Sequence, residues 1–372
     1  MRLPATRYLA AAVRRDLPTK MAFVYGPRQV GKTTFAKSLG RGLGYLNWDI
    51  DADRTRILAR DLPKARLWVL DEIHKNRRWR NLLKGLFDGR RPGQRIVVTG
   101  SARLDLYRFA GDSLQGRYFP FRLHPFSVAE LGLRKQRDLD AIFRFSGFPE
   151  PLYRGEEAFS RRWSRTYRER LVRDELRSVE AIQDLAGVEA LAQRLPELVG
   201  APLSINNLAE DLRVAHKTAE RWLAALERLY GLYRLAPFGA PRLKALKKAR
   251  KHYHFDWTVI PNESARFENL VAGHLLKWTD YQQDVEGREY ALHYYRDGQG
   301  REVDFVVTED RKPILAVEAK WSEERVDRGL GYFKSRFPGC ACWQVTMTET
   351  RDRVNQDGIR IASAVTLLRD LV

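Results

Sequence analysis

The stretch Gly26-Pro27-Arg28-Gln29-Val30-Gly31-Lys32-Thr33 has the spacing G-x-x-x-x-G-K-[ST], and each residue type has a task at a polyphosphate. Glycines let main-chain N–H groups face phosphate oxygens with no Cβ in the way. Lys32 brings a full positive charge, and the Thr33 hydroxyl is a hard oxygen suited to Mg2+. Thr34 opens the helix expected next, whose positive N-terminal end adds to the same field. Further on, Leu67-Trp68-Val69-Leu70-Asp71-Glu72 is an apolar run ending in two carboxylates. Asp71 suits the Mg2+ shell, and Glu72 suits orienting and deprotonating an attacking water. Val97-Val98-Thr99-Gly100-Ser101 is a strand with a polar tip, where Ser101, or Thr99, could sense a γ-phosphate; a capped strand end is the alternative. Arg117, after Gly116, could stabilise charge on a transferring phosphoryl group from the same subunit or from a neighbour, unless it is a solvated surface arginine.

A second constellation lies near the C-terminus. Glu302–Val307 alternates like a strand and contains Asp304; Ile314–Lys320 is another apolar run, ending Glu318-Ala319-Lys320. Residues two apart on a strand share a face, so Glu318 and Lys320 point the same way, and Asp304 meets them if the strands pair. Two carboxylates and a lysine around one point suit Mg2+ and a water set against a phosphodiester. Glu268, at the edge of the apolar stripe of a helix over 266–278, could supply a third carboxylate. The alternative is an ion-pair cluster in a domain that binds without cutting. His252 and His254, beside Asp256, read as a strand or connector surface rather than zinc ligands, and Cys340 and Cys342 as core cysteines.

These residues need elements to hold them. Strands are expected at 21–25, 45–49, 67–70, 96–99 and 118–123, alternating with helical stretches, which implies a parallel sheet covered by helices. Residues 1–135 then form an α/β P-loop NTPase core. Residues 136–186 read as a helical lid, with an arginine-laden helix carrying Arg161, Arg162, Arg165, Arg168, Arg170 and Arg173; a solvated face paired with Glu169, Asp174 and Glu175 is favoured over a groove for a nucleic-acid backbone. Residues 187–240 read as a winged helix-turn-helix, with Ser204 as a cap, Trp222, Leu223, Leu226 and Leu229 inward, and Lys217, Thr218 and Arg221 outward. Such a unit suits DNA or a protein contact. A basic connector follows over 241–262 (Lys244, Lys247, Lys248, Arg250, Lys251), and then an α/β domain over 263–372.

Gly26–Thr33, the Asp71-Glu72-Ile73 that ends the third strand, Thr99-Gly100-Ser101, Gly116–Phe126 and Gly147-Phe148-Pro149-Glu150 together resemble a prokaryotic family of AAA-plus-like ATPases that usually carry a C-terminal domain of unknown function. The resemblance implies the additional-strand topology, with the loop strand beside the sensor strand, and ATP with Mg2+ as cofactors. Ala102 stands where the family often has a second serine. Glu268, Asp304, Glu318 and Lys320, in that order, resemble the motif of the PD-(D/E)xK nuclease superfamily, which implies a restriction-endonuclease-like fold.

Bulk properties bound the partners. Residues 1–262 hold 50 Lys+Arg against 28 Asp+Glu, and residues 263–372 hold 16 against 19. So basic a body suits a polyanion such as nucleic acid, DNA foremost, although a basic proteome bias gives the same sign. No apolar run approaches the ~20 residues that span a bilayer, so no membrane is expected. The arginines around Leu9–Val13 resemble a transit peptide in composition, but an ordinary helix is the better reading. Two cysteines make no disulfide framework, which fits the cytoplasm. The sequence reading is an ATP-hydrolysing protein acting on nucleic acid, coupling turnover to DNA binding or Mg2+-dependent cleavage. The alternative is a nucleotide-dependent switch or adaptor with a non-catalytic nuclease-like domain. Homo-oligomers, and protein partners at the winged helix or C-terminal domain, stay open.

Overall fold

The computed structural model describes residues 4, 6–100, 114–176, 182, 184–239, 249–322 and 325–372, with the backbone alone for 174–176. The chain divides into two compact units, Pro4–Pro125 and Phe126–Val372. Ser101, Ala102, Lys244, Lys247 and Lys248 lie outside the described residues.

In the first unit the described strands are β1 (Met21–Tyr25), β2 (Gly44–Asn47), β3 (Leu67–Asp71), β4 (Arg95–Thr99) and β5 (Tyr118–Arg122), all parallel, in the order β2-β3-β4-β1-β5. Parallel neighbours need crossovers, and the helices Lys32–Ser38, Asp51–Ala59 and Trp79–Asp88 supply them. β1 is buried along its whole length, as a central parallel strand with both faces covered requires. The loop strand β1 lies beside β4, the order the family resemblance implies. β2 stops at Asn47, two residues before the expected end. There the Asn47 N–H donates to the Asp53 carboxylate at 2.9 Å and the Asp49 N–H donates to the Asn47 side chain at 2.9 Å, turning the chain into the next helix.

In the second unit the described strands are β6 (Pro202–Leu203), β7 (Leu232–Pro237), β8 (Arg250–His254), β9 (Tyr290–Arg296), β10 (Glu302–Glu309), β11 (Lys312–Lys320), β12 (Ala341–Thr346), β13 (Arg353–Val354) and β14 (Ile359–Ser363). They form one sheet in the order β13-β14-β12-β11-β10-β9-β7-β8-β6. The helix Glu263–Asp284 begins where Asn262 accepts from the Ala265 N–H at 2.9 Å, and it buries Phe267, Leu270, Val271 and Leu275. Upstream, Ser204 caps the helix Ile205–Asp211, and the helix His216–Arg228 buries Trp222, Leu223 and Leu226 while leaving Lys217 and Arg221 exposed. In the helix Glu157–Arg170, Trp163 and Tyr167 pack on Phe148, and the exposed Arg161 and Arg165 face Glu157 and Glu169 at 3.4 and 3.7 Å. Cys340 and Cys342 are buried in the core of this unit.

The structure departs from the sequence reading at the connector. Residues 250–254 are an interior strand, paired with β7 and β6, and β7 itself runs parallel to β9. The middle of the chain and its C-terminal part therefore share one sheet. His252 and His254 are not on a surface: both are buried, and among the described residues neither belongs to a group placed to hold a metal ion. Lys251, His252 and His254 each meet groups from elsewhere in the unit, although their residue types read as exposed. His252 Nε2 meets the Leu195 carbonyl at 2.9 Å, and the His254 N–H donates to the Asn269 side chain at 2.7 Å. Burial pulls both imidazoles well below the ordinary histidine value, to about 4 for His252 and about 3 for His254, so both are neutral.

Gly26 tests the first unit most sharply. It sits at φ 145°, and a Cβ added there would lie 2.3 Å from the Leu123 carbonyl oxygen. Gly26→Ala is expected to cost ~2–3 kcal/mol and lower the melting temperature by several degrees. Gly339→Ala, whose added Cβ meets nothing within 4 Å, should leave it unchanged. Equal melting of Gly26→Ala and the wild type in thermal denaturation would show that the loop is not built this way.

Candidate functional site

The loop after β1 is shaped by three left-handed or glycine-type backbone positions: Gly26 at φ 145°, Gln29 at φ 61° and Gly31 at φ 95°. Between them the loop curls around the Lys32 ammonium, which is buried and donates to the Gly26 carbonyl at 3.0 Å and the Pro27 carbonyl at 2.7 Å. Val30 is fully buried and anchors the loop, while Arg28 and Gln29 are exposed at its rim. Arg7 supports the loop from behind, donating to the Val30 carbonyl at 2.9 Å and the His124 carbonyl at 2.5 Å.

Thr33 and Asp71 meet directly. The Thr33 hydroxyl donates to Asp71 Oδ2 at 2.8 Å; the Tyr45 hydroxyl donates to the same oxygen at 2.8 Å, and the Thr99 hydroxyl donates to Oδ1 at 2.6 Å. Burial, and then the Asp71 carboxylate, push the Tyr45 phenol upward, so it stays protonated and keeps donating. A hydroxyl beside a carboxylate, with Lys32 one residue away, is a hard-oxygen set that fits Mg2+ on a polyphosphate. Glu72 follows at φ 56°, with its N–H donating to the Thr99 carbonyl at 2.9 Å. Its carboxylate lies 3.5 Å from Lys75 Nζ and 3.5 Å from His74 Nε2. Burial raises its pKa, against the pull of Lys75 and Lys32, which suits a group that must take a proton.

The fold does not bring Arg117 to this place. The Met21 N–H donates to the Arg117 carbonyl at 2.9 Å, so Arg117 sits at the start of β1 while the loop follows its end. Five strand residues, roughly 16 Å, separate the two. The guanidinium is engaged with both oxygens of Asp88, at 2.8 and 3.0 Å.

In the second unit the four C-terminal residues do converge. β10 and β11 pair antiparallel; the Asp304 N–H donates to Glu318 Oε2 at 3.2 Å, and the Ala319 N–H donates to Asp304 Oδ2 at 3.0 Å. Lys320 Nζ lies 2.8 Å from Glu318 Oε1 and 3.2 Å from Asp327. Glu268 faces the same cluster from the helix. What links it to Asp304 is a residue outside the expected set. Lys251 of β8 places its ammonium 3.3 Å from Glu268, 2.6 Å from Glu302 and 3.3 Å from Asp304, and its side chain is buried. Burial pulls the Lys251 pKa down, but Asp304, Glu268 and Glu302 together outweigh it and hold the ammonium charged. Burial, and then Asp304, push Glu268 up to about 7. Glu318 is raised by burial and then by Asp304. Among the described residues no group of three or more His, Cys, Asp or Glu side chains is placed to hold a metal ion. These carboxylates do not fit Mg2+, because a lysine already supplies the cation.

Tyr45, Arg7, Lys251, Glu302 and Asp327 were not legible as site residues. Strand alternation could have marked Lys251 as facing one side of β8, but nothing local says that the side is interior.

Comparison with known proteins agrees on the first unit. Residues 18–132 match the family described as an AAA domain. Residues 136–262 and 263–367 match two domains of unknown function, DUF8612 and DUF4143. Uncharacterized proteins of Mycobacterium tuberculosis and Mycobacterium bovis are each 26% identical over 339 residues, covering 87% of this chain and 76% of the relative. Among solved structures, a RuvB variant of Thermotoga maritima has 18% identity and a TM-score of 0.32 over 61% of this chain and 87% of that one. The ORC1 protein of Aeropyrum pernix in complex with DNA has 15% identity and a TM-score of 0.32 over 73% and 93%. Residues 18–132 thus form an AAA-like P-loop domain of the ATP-binding kind.

The raised Glu268 has a consequence for stability. A carboxyl whose pKa rises on folding from 4.5 to about 7 binds its proton more tightly in the native state. The stabilisation is complete below the ordinary carboxyl value and is lost as pH rises through about 7. Glu268→Gln should flatten the decline of unfolding free energy between those two pH values in urea titrations; parallel curves for variant and wild type would contradict the assignment.

Proposed function

We propose that this chain hydrolyses ATP in its first unit and uses the cycle to act on nucleic acid, with a C-terminal cleft that grips rather than cuts. The observation that carries the first part is the Thr33–Asp71 contact at 2.8 Å beside the buried Lys32 ammonium. Mg2+ held by Thr33, with Asp71 in its shell, would supply positive charge to the β- and γ-phosphate oxygens. Lys32 shares that task, and the loop amides bind the phosphate tail. Glu72 accepts a proton from water as the water oxygen bonds to the γ-phosphorus and the bond to the β–γ bridging oxygen breaks, releasing ADP and phosphate. Because burial raises Glu72, turnover should fall on the acid side at a higher pH than an ordinary carboxylate would give.

Nucleic acid as the object is supported by the excess of Lys+Arg over Asp+Glu in residues 1–262, and by Lys217 and Arg221 exposed on the second helix of the helix-turn-helix pair. Arg117 stands too far along β1 for its own nucleotide, so its catalytic use falls at a neighbouring subunit, and a homo-oligomer is the assembly this reading expects. Gripping is favoured over cutting because Lys251 meets the Asp304 and Glu268 carboxylates that a phosphodiesterase would offer to a metal.

The test is one assay that scores phosphate release and strand cleavage together, with single- and double-stranded DNA and RNA, with and without ATP and Mg2+. Lys32→Ala and Glu72→Gln should each lower phosphate release by ~10²-fold or more, with ATP still bound by Glu72→Gln. The wild type should bind nucleic acid without cutting it. Wild-type turnover in Lys32→Ala would overturn the engine. Mg2+-dependent cleavage lost in Asp304→Ala would overturn the gripping reading alone.

A further inference from the structure

The cleft at the start of β10 and the end of β11 has a volume of about 450 Å³, and its lining includes Glu302, Asp304, Glu318, Lys320 and Asp327. Lys251 is not among the lining residues: it is wholly buried and reaches Glu302 and Asp304 from behind the cleft wall. Five carboxylates, those of Glu268, Glu302, Asp304, Glu318 and Asp327, are therefore gathered within reach of two ammonium groups. Lys320 serves Glu318 and Asp327, and Lys251 serves the other three. Carboxylates this close cannot all stay ionised in a poorly solvated place without a cation among them. Nucleases with such carboxylate pairs recruit that cation from solution as a divalent ion. Here it comes from the chain itself, on a strand locked between β7 and β6, with no route by which it could exchange.

We propose that Lys251 is a resident cation which takes the place of a divalent metal ion in the C-terminal cleft, so that the wild-type cleft is closed to such ions and removing this ammonium opens a binding site for one. The proposal rests on the gripping reading of this unit and is independent of the ATP site. The lysine sets one positive charge and three donors against Glu268, Glu302 and Asp304, and it presents no exchangeable water. The cleft keeps its carboxylate and lysine shape for recognition but holds nothing that lowers the pKa of a water molecule. The second unit then needs no metal to fold.

The experiment uses the full-length chain and Mn2+ as the probe. Its binding is followed by electron paramagnetic resonance in the presence of excess ADP, so that any nucleotide-bound ion is counted in parallel with a Thr33→Ala control. Lys251→Met should bind one additional Mn2+ per chain, at least roughly tenfold more tightly than any site the wild type shows in the second unit. Melting of Lys251→Met should rise with Mn2+, while that of the wild type stays constant. Adding Asp304→Asn to Lys251→Met should abolish the extra ion, and Lys251→Arg, which keeps the charge, should bind none. If Lys251→Met does not fold, Lys251→Met with Glu302→Gln removes one charge of each sign and keeps Glu268 and Asp304; it should fold and show the same added ion. The proposal is overturned if the wild type binds Mn2+ at Asp304, or if the folded Lys251 variants bind no additional ion. Neither result touches ATP turnover, so failure here is distinguishable from failure of the engine.

Discussion

One carboxylate organises the first unit. Asp71 ends β3 and accepts three hydroxyl hydrogen bonds, from Thr33 at the start of the loop helix, Tyr45 on β2 and Thr99 on β4. Without an anion at that point, three buried or half-buried hydroxyls would lose their acceptor, each at a cost of about 1–3 kcal/mol. The same contacts fix the spacing between the Gly26–Thr33 loop and Glu72, whose N–H is tied to the Thr99 carbonyl. Parallel strands ending side by side make this possible: β3 and β4 pair Asp71 with Thr99 in register, so the polar tips of neighbouring strands fall at one edge. The chemistry at this edge is therefore a consequence of sheet topology, with the crossover helices closing both faces.

The second unit meets a harder electrostatic problem and solves it with covalent material. Burying Asp304 and Glu318 on adjacent strands, with Glu268 facing them, is costly unless opposite charge is close. Lys251 and Lys320 supply it, and each carboxylate also accepts from a backbone or phenolic donor, such as Tyr253 to Glu268 at 2.7 Å. The two family matches that cover this unit meet at residues 262 and 263, yet the Lys251 contacts and the β7–β9 pairing both cross that point. The two segments are one folding unit, because the charge that makes the later one tenable is carried by the earlier one.

What could be read from sequence was what is encoded locally. The phosphate loop, the Asp71-Glu72 strand end and the strands of the first sheet depend on residue type and period over a few positions, and the structure has them within two residues of the expected places. Helix caps at Ser204 and Asn262 are local in the same sense. Contacts between distant parts of the chain were not legible. Arg117 follows a glycine and precedes a strand, which suggested a place near phosphate; the direction of β5, parallel to β1, puts it at the opposite edge. Lys251 and Asp304 are separated by 53 residues, and a Lys-His-Tyr-His alternation reads as polar surface until its partners are known. Ser101 lies outside the described residues, so the γ-phosphate sensor rests on its sequence position alone.

ATP turnover as proposed requires that the Gly26–Thr33 loop, with Asp71 beside it, cradle a triphosphate. Equilibrium dialysis of ATP against the intact chain, with Mg2+ and then with a chelator, tests it most directly. One ATP should bind per chain, and Mg2+ should tighten it about tenfold, or ~1.4 kcal/mol. Absence of saturable ATP binding in the presence of Mg2+ would contradict the central claim.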